Sequence, residues 1–261
     1  MSDKYVREAR AKSEVLAEVI NRTLQQIGIK CTKGNQIRDY FYVGVIGYGS
    51  AGAKPVFAGH LAGRGLVPIS ELAGNPIRIG KTVYNNGTEV KYPIWFEPLA
   101  YGGTPMVAAF KLANELISIW LGSHQNCFPP IIIHITDGES TDGNPTVEMR
   151  KLSAQTSTDG NVILFNLHTH AQGTNSISFP GSKTSLPEEY AEILYNGASP
   201  LPGFIREVAV NEHGLNISHD AKAFVMNGDI DLIIKAMDIG TRHIQGTYNK
   251  NINDGDKVQG H

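Results

Sequence analysis

Cysteine is nearly absent from this 261-residue chain, with only Cys31 and Cys127. Neither spacing nor number fits a structural metal knuckle. Two free thiols in a reducing compartment is the expected state, with a single disulfide as the alternative. Long apolar runs are also missing: none approaches the roughly 20 residues needed to span a bilayer. The first residues, Met1-Ser2-Asp3-Lys4-Tyr5-Val6-Arg7, lack the apolar core of a signal peptide. The expectation is a cytoplasmic protein without a membrane partner. Strong charge of one sign is absent as well. With 23 Lys+Arg against 25 Asp+Glu the net charge is −2, which gives no electrostatic case for nucleic acid. There is no Gly-x-Ser-x-Gly elbow to support a serine hydrolase.

Glycine is plentiful, at 28 residues, so tight turns are expected. The length suits one large α/β domain or two small ones. Residues 3–27 carry Ala9, Leu16, Ile20, Leu24 and Ile27 at helical spacing, with Gly28 as the stop. Residues 40–48 pattern as a strand bounded by Gly49-Ser50. Residues 50–100 are rich in Gly and Pro and read as an excursion off the main sheet. Within it, Asn86-Gly87 between Val83 and Val90 predicts a hairpin, because Asn-Gly accepts the positive φ of such turns. Met106, Phe110, Ala113, Ile117 and Trp120 mark a helix over 105–121, with Thr104 as its cap and Pro105 as its first residue.

Ile131–Thr136 is a continuous apolar strand. A short helix is predicted to about Leu152, a strand over 162–167, helices over 186–195 and 204–210, a strand over 223–225 and a helix over 229–239. Residues 242–261 are polar and unpatterned, a loose tail. Strands alternating with helices, with apolar runs buried on both faces, predict a mostly parallel sheet in three layers, a Rossmann-like α/β/α fold. In such sheets ligands bind beyond the carboxyl ends of the strands. Asp137, His168, the Gly49 turn and the start of the helix at Thr104 are all expected there.

Two motifs carry the most chemistry. One is Gly102-Gly103-Thr104-Pro105, opening a helix. The other is Thr136-Asp137-Gly138, closing a buried strand. In this order, spacing and context they resemble two of the three parts of the metal-ion-dependent adhesion site of the von Willebrand factor A domain. The resemblance covers about residues 2–240, so residues 1–241 are expected to form one such domain. It implies a Mg²⁺ site with Thr104 and Asp137 as ligands, and Gly102, Gly103, Gly138, Glu139 and Ser140 around the partner. It further implies a protein partner that completes the coordination with an acidic side chain, and binding without turnover. By family association alone, the resemblance also implies a setting beside ATPases, phosphatases or kinases, where intracellular bacterial members of that family often act.

The third part, Asp-x-Ser-x-Ser at the end of a first strand, is not in the chain. Met1 matches the Met that follows it. The resemblance therefore implies a start one residue too late, and a sheet without the strand that lies between those at 40–48 and 131–136. The expected consequences are weak or absent Mg²⁺ binding and two strands that face a gap. Met1 or Ser2 is expected near Thr104 and Asp137.

Each residue also has a plainer reading. Thr104 before Pro105 makes an ordinary helix cap, and Asp137 before Gly138 an ordinary turn. Glu139 and Asp142 read as solvated charges. His168 and His170 share a face of an extended segment, but without a supporting Cys or carboxylate they read as polar loop residues. The run Gly47–Gly52 lacks the Lys of a nucleotide loop. Two further functions stay open: a metal-assisted or nucleotide-dependent enzyme using His168, His170 and Asp137, and a metal-free scaffold.

Overall fold

The computed structural model describes residues 11–83, 87–98, 102–169, 175–183, 186 and 189–242. It is a mixed α/β structure whose contacts divide into two compact units, Met1–Leu112 and Ala113–His261.

The first unit opens with α1 (Lys12–Lys30). Its buried side carries Val15, Ala17, Val19 and Leu24, as an amphipathic period demands, but also Asn21. The helix ends two residues beyond the glycine expected to stop it. A short ladder follows, β1 (Thr32–Lys33) with β2 (Gln36–Ile37). Then come β3 (Tyr42–Val43), β4 (Ile46–Gly49), β5 (Gly52–Pro55), β6 (Val67–Pro68) and α2 (Ile69–Gly74). The last pair, β7 (Arg78–Val83) and β8 (Glu89–Ile94), is an antiparallel hairpin, as the Asn-Gly signal predicts. Gly87 has φ +80°, the left-handed region that Asn-Gly turns require. The core gathers Leu24, Phe57, Leu61, Val67, Ile69, Leu72 and Trp95.

One expectation is corrected here. Residues 40–48 do not form an interior strand of a large sheet. Glycines at 44, 47 and 49 interrupt the run and weaken it as a strand. Tyr42–Val43 pairs with Val67–Pro68, and Ile46–Gly49 folds back on Gly52–Pro55, with Gly49 opposite Gly52 across Ser50-Ala51. The Gly47–Gly52 run is thus the tip of a hairpin, so no phosphate-binding turn from strand to helix exists there.

α3 (Met106–Ser123) runs into the second unit, which continues with β9 (Ile131–Thr136), α4 (Thr146–Ala154) and the short pair β10 (Thr156–Ser157) and β11 (Gly160–Asn161). Next are β12 (Ile163–Thr169), β13 (Ile177–Ser178), α5 (Glu189–Gly197), α6 (Gly203–Asn211), β14 (Phe224–Gly228) and α7 (Ile230–Arg242). Of residues 242–261, read as a tail, Arg242 is the last residue of α7, and 243–261 lie outside the described residues, as do Met1 and Ser2.

Among the described residues the main sheet has four strands, in the order β13-β14-β12-β9. β9, β12 and β14 are parallel, and β13 is antiparallel to β14. Among the described strands β9 stands at the edge, and its ladder with β12 runs from Ile163↔Ile131 to His168↔Thr136. The strands at 46–49 and 131–136 belong to separate sheets. Successive residues of β12 face opposite ways, as a pleated strand requires. Asn166 touches Met149 of α4 and Leu194 of α5. Phe165 meets α7, where a Cβ added at Gly240 would lie 3.4 Å from its ring. Among the described residues no helix is long and apolar enough to cross a membrane.

Candidate functional site

The continuous apolar strand β9 gives way to polar chain at Thr136, and the sequence there fixes a turn. Thr136 is buried, at 5 % exposure. Its hydroxyl donates to Gly138 O at 3.0 Å and accepts from Gly138 N at 3.3 Å. The strand end is thereby pinned to the second residue of the loop, and Asp137, between them, is exposed. No described residue pairs with the Asp137 carboxylate. Glu139 is also exposed, and Ser140 is half-buried. The Ser140 hydroxyl donates to Asp142 Oδ1 at 3.0 Å, and Asp142 is exposed, as its reading as a solvated charge expects. The loop closes when Asn144 Oδ1 accepts from Thr146 N at 2.9 Å, which satisfies one of the open donors at the start of α4.

The other motif lies in the first unit. Gly102 and Gly103 are exposed, and Gly103 has φ +76°. Thr104 O accepts from Met106 N at 2.8 Å, and Pro105 O accepts from Ala109 N at 3.1 Å. The helix therefore starts at Met106, one residue after the proline rather than on it. Gly138, Glu139 and Ser140 share one loop with Asp137, whereas Gly102, Gly103 and Thr104 share a turn of their own.

Asp137, Glu139 and Thr104 offer hard oxygens, the donor type that suits Mg²⁺. Among the described residues no three His, Cys, Asp or Glu side chains gather as a metal site. Both cysteines are free thiols.

The histidines behave differently from the sequence expectation. His168 is a strand residue, only 2 % exposed, and not part of a polar loop. His170 lies outside the described residues. His168 Nδ1 accepts from the backbone N–H of Asn227 at 3.4 Å, so its proton sits on Nε2, which donates to the Tyr190 hydroxyl at 3.2 Å. Asn227 has φ +53°, and the β12–β14 register slips between Leu167 and Thr169 beside it. On β9, His134 is buried as well and faces Asn166. Burial pushes its pKa down to about 4, against the opposing pull of the Asn166 hydrogen bond. Sequence singles out His168 but not its partners Tyr190 and Asn227, and it does not single out the His134–Asn166 pair. The available signal was His134 and Asn166 standing inside otherwise apolar strands.

Comparison with models of known protein families, with characterised proteins and with solved structures finds no match in any of the three.

Proposed function

We propose that the chain is a protein-binding module of the von Willebrand factor A type, built on a three-layer α/β/α sheet. In this reading Asp137 and Thr104 are ligands of a Mg²⁺ ion, and an acidic side chain of a partner protein completes its coordination. Gly102, Gly103, Gly138, Glu139 and Ser140 border the partner. The bound ion supplies a Lewis-acidic contact for a carboxylate; the chain's own residues shape and hold the loop that offers it.

One observation carries the proposal. Asp137 is an exposed carboxylate, unpaired among the described residues, at the carboxyl end of a strand in a parallel set. Ligands gather at that end of such sheets. Thr136 restricts the loop, which lowers the ordering cost of binding. Parallel β9, β12 and β14, with α4 and α5 touching Asn166 and α7 touching Phe165, support the layered reading. The proposal sets the protein in the cytoplasm, a compartment suited to two free thiols. For the enzyme reading, its candidate imidazole His168 is buried and engaged with Tyr190, and no observation favours that reading over recognition.

The test is calorimetric titration with Mg²⁺, alone and with excess of a short aspartate-containing peptide. Mg²⁺ alone is expected to give weak heats. Mg²⁺ with the peptide is expected to add saturable binding above the metal-free level, and Asp137→Asn and Thr104→Ala are expected to remove that Mg²⁺-dependent part. Identical titrations for wild type and Asp137→Asn would overturn the proposal.

A further inference from the structure

The β7–β8 hairpin of the first unit has two unlike faces. Strand alternation turns Gly80, Thr82, Tyr92 and Ile94 inward, where they are buried. The register sets Ile79 opposite Pro93, Lys81 opposite Lys91 and Val83 opposite Glu89 on the outward face. Ile79 and Val83 are each 57 % exposed, two positions either side of Lys81. The face is therefore a stripe: aliphatic, cationic, aliphatic, at spacing i, i+2, i+4.

The charges on this face are not balanced within the hairpin. Lys81 Nζ reaches Glu89 Oε1 at 3.1 Å. Lys91, directly across from Lys81, has no partner among the described residues. Like charges directly opposite in a ladder are mutually unfavourable. A single carboxylate laid over the pair would neutralise one lysine and ease the repulsion between both.

We propose that this outward face is a docking surface for an extended protein segment with a carboxylate flanked by aliphatic side chains on one side of the strand. Charge selects that occupant. A second copy packed face to face about a two-fold axis would bring four lysines together against only two glutamates, since such an interface matches a patch with itself. Nucleic acid calls for a basic stripe, and this face carries two lysines beside a glutamate on a chain of net charge −2. The contact is made by side chains alone. It stands apart from the Mg²⁺ reading and is independent of it.

The test is fluorescence anisotropy with two labelled peptides, Leu-Ser-Asp-Ser-Leu and Leu-Ser-Lys-Ser-Leu. In extended form each presents its first, third and fifth side chains on one face. The aspartate peptide is expected to bind about tenfold more tightly than the lysine peptide, since like-charge contacts are strongly penalised. Its binding should weaken with added salt and be unaffected by a chelator. Lys81→Glu with Lys91→Glu should reverse the preference. Ile79→Ser with Val83→Ser should weaken both peptides. These side chains are exposed, and thermal melts of each variant confirm that it folds. No saturable binding of the aspartate peptide, equal binding of the two, or a preference unchanged by charge reversal would overturn the proposal. Loss of binding with chelator would overturn it too, by assigning the contact to the metal site.

Discussion

His134 Nδ1 lies 2.9 Å from the side-chain oxygen of Asn166, its register partner on the neighbouring parallel strand. The Asn166 amide nitrogen donates to Leu194 O at 2.7 Å, which fixes which end of the amide is oxygen. His134 must therefore carry its proton on Nδ1 and donate it. His168, two residues beyond Asn166 on the same strand, carries its proton on Nε2. Two buried imidazoles in one sheet thus hold opposite tautomers, each chosen by what faces it.

The His134 pair predicts a pH dependence. The unfolded chain takes up this proton near pH 6.5, and the folded chain only near 4. Between those values the unfolded state binds more protons, so stability is full above 6.5 and falls as pH drops toward 4. The loss is on the order of 3 kcal/mol. Urea unfolding at several pH values should show this slope in wild type. The wild-type slope minus that of His134→Gln should equal about one proton. Parallel slopes in the two proteins would refute it.

Asn21 plays the matching part in the first unit. Its Oδ1 accepts from Trp95 N at 2.9 Å, and its Nδ2 donates to Phe96 O at 3.1 Å. Asn21→Ala leaves both backbone groups buried and unpaired, at an expected cost of about 3 kcal/mol. The chain has two tryptophans, Trp95 and Trp120, so a Trp120→Phe background isolates the emission of Trp95. The urea midpoint followed by that emission should fall. A midpoint unchanged by Asn21→Ala would count against the clamp.

Thr136 anchors the Asp137 loop through its hydroxyl. Thr136→Val keeps the shape and removes both hydrogen bonds to Gly138, at a cost of about 1–2 kcal/mol. Peptide binding in the presence of Mg²⁺ should weaken with it, although residue 136 is not a proposed ligand. Binding equal to wild type would show that the turn does not need the hydroxyl.

The two thiols should differ in reactivity. Burial, with a smaller contribution from Asp39, pushes Cys31 up to about 11. Cys127 is half-buried and raised mainly by burial, offset in part by Ser157. The thiolate is the reactive form. Iodoacetamide at mildly alkaline pH should alkylate Cys127 first, and Cys31 only after denaturant is added. Intact mass followed by peptide mapping reads the order.

Much of the second unit was legible because its signals are local. Four isoleucines in six residues declare β9, and the helices that follow it lie within a few residues of their expected bounds. Asp137 and Gly138 were legible as a strand end. Residues 40–48 misled because β-type composition says nothing about partners, and glycines let the run fold on itself. The buried polar pairs were illegible for a related reason. His134 needs Asn166, and Asn166 needs Leu194. Only the register, set by the whole sheet, brings them together. The Thr136 anchor was hidden because a hydroxyl beside an Asp-Gly turn is equally at home facing water.

The strand order carries a kinetic consequence. The β7–β8 hairpin closes over a handful of residues, and such pairs form in microseconds. In the second unit Asn166 must find Phe224, nearly sixty positions along the chain, and both pairings of β12 are parallel. Distant parallel pairings are slow to form. For part of every folding event Ile131, Ile132, Ile133 and Ile135 are then without a finished sheet, and a stretch of that composition is prone to aggregate. The same isoleucines that make β9 the clearest strand in the sequence also make the second unit's folding the step most sensitive to protein concentration.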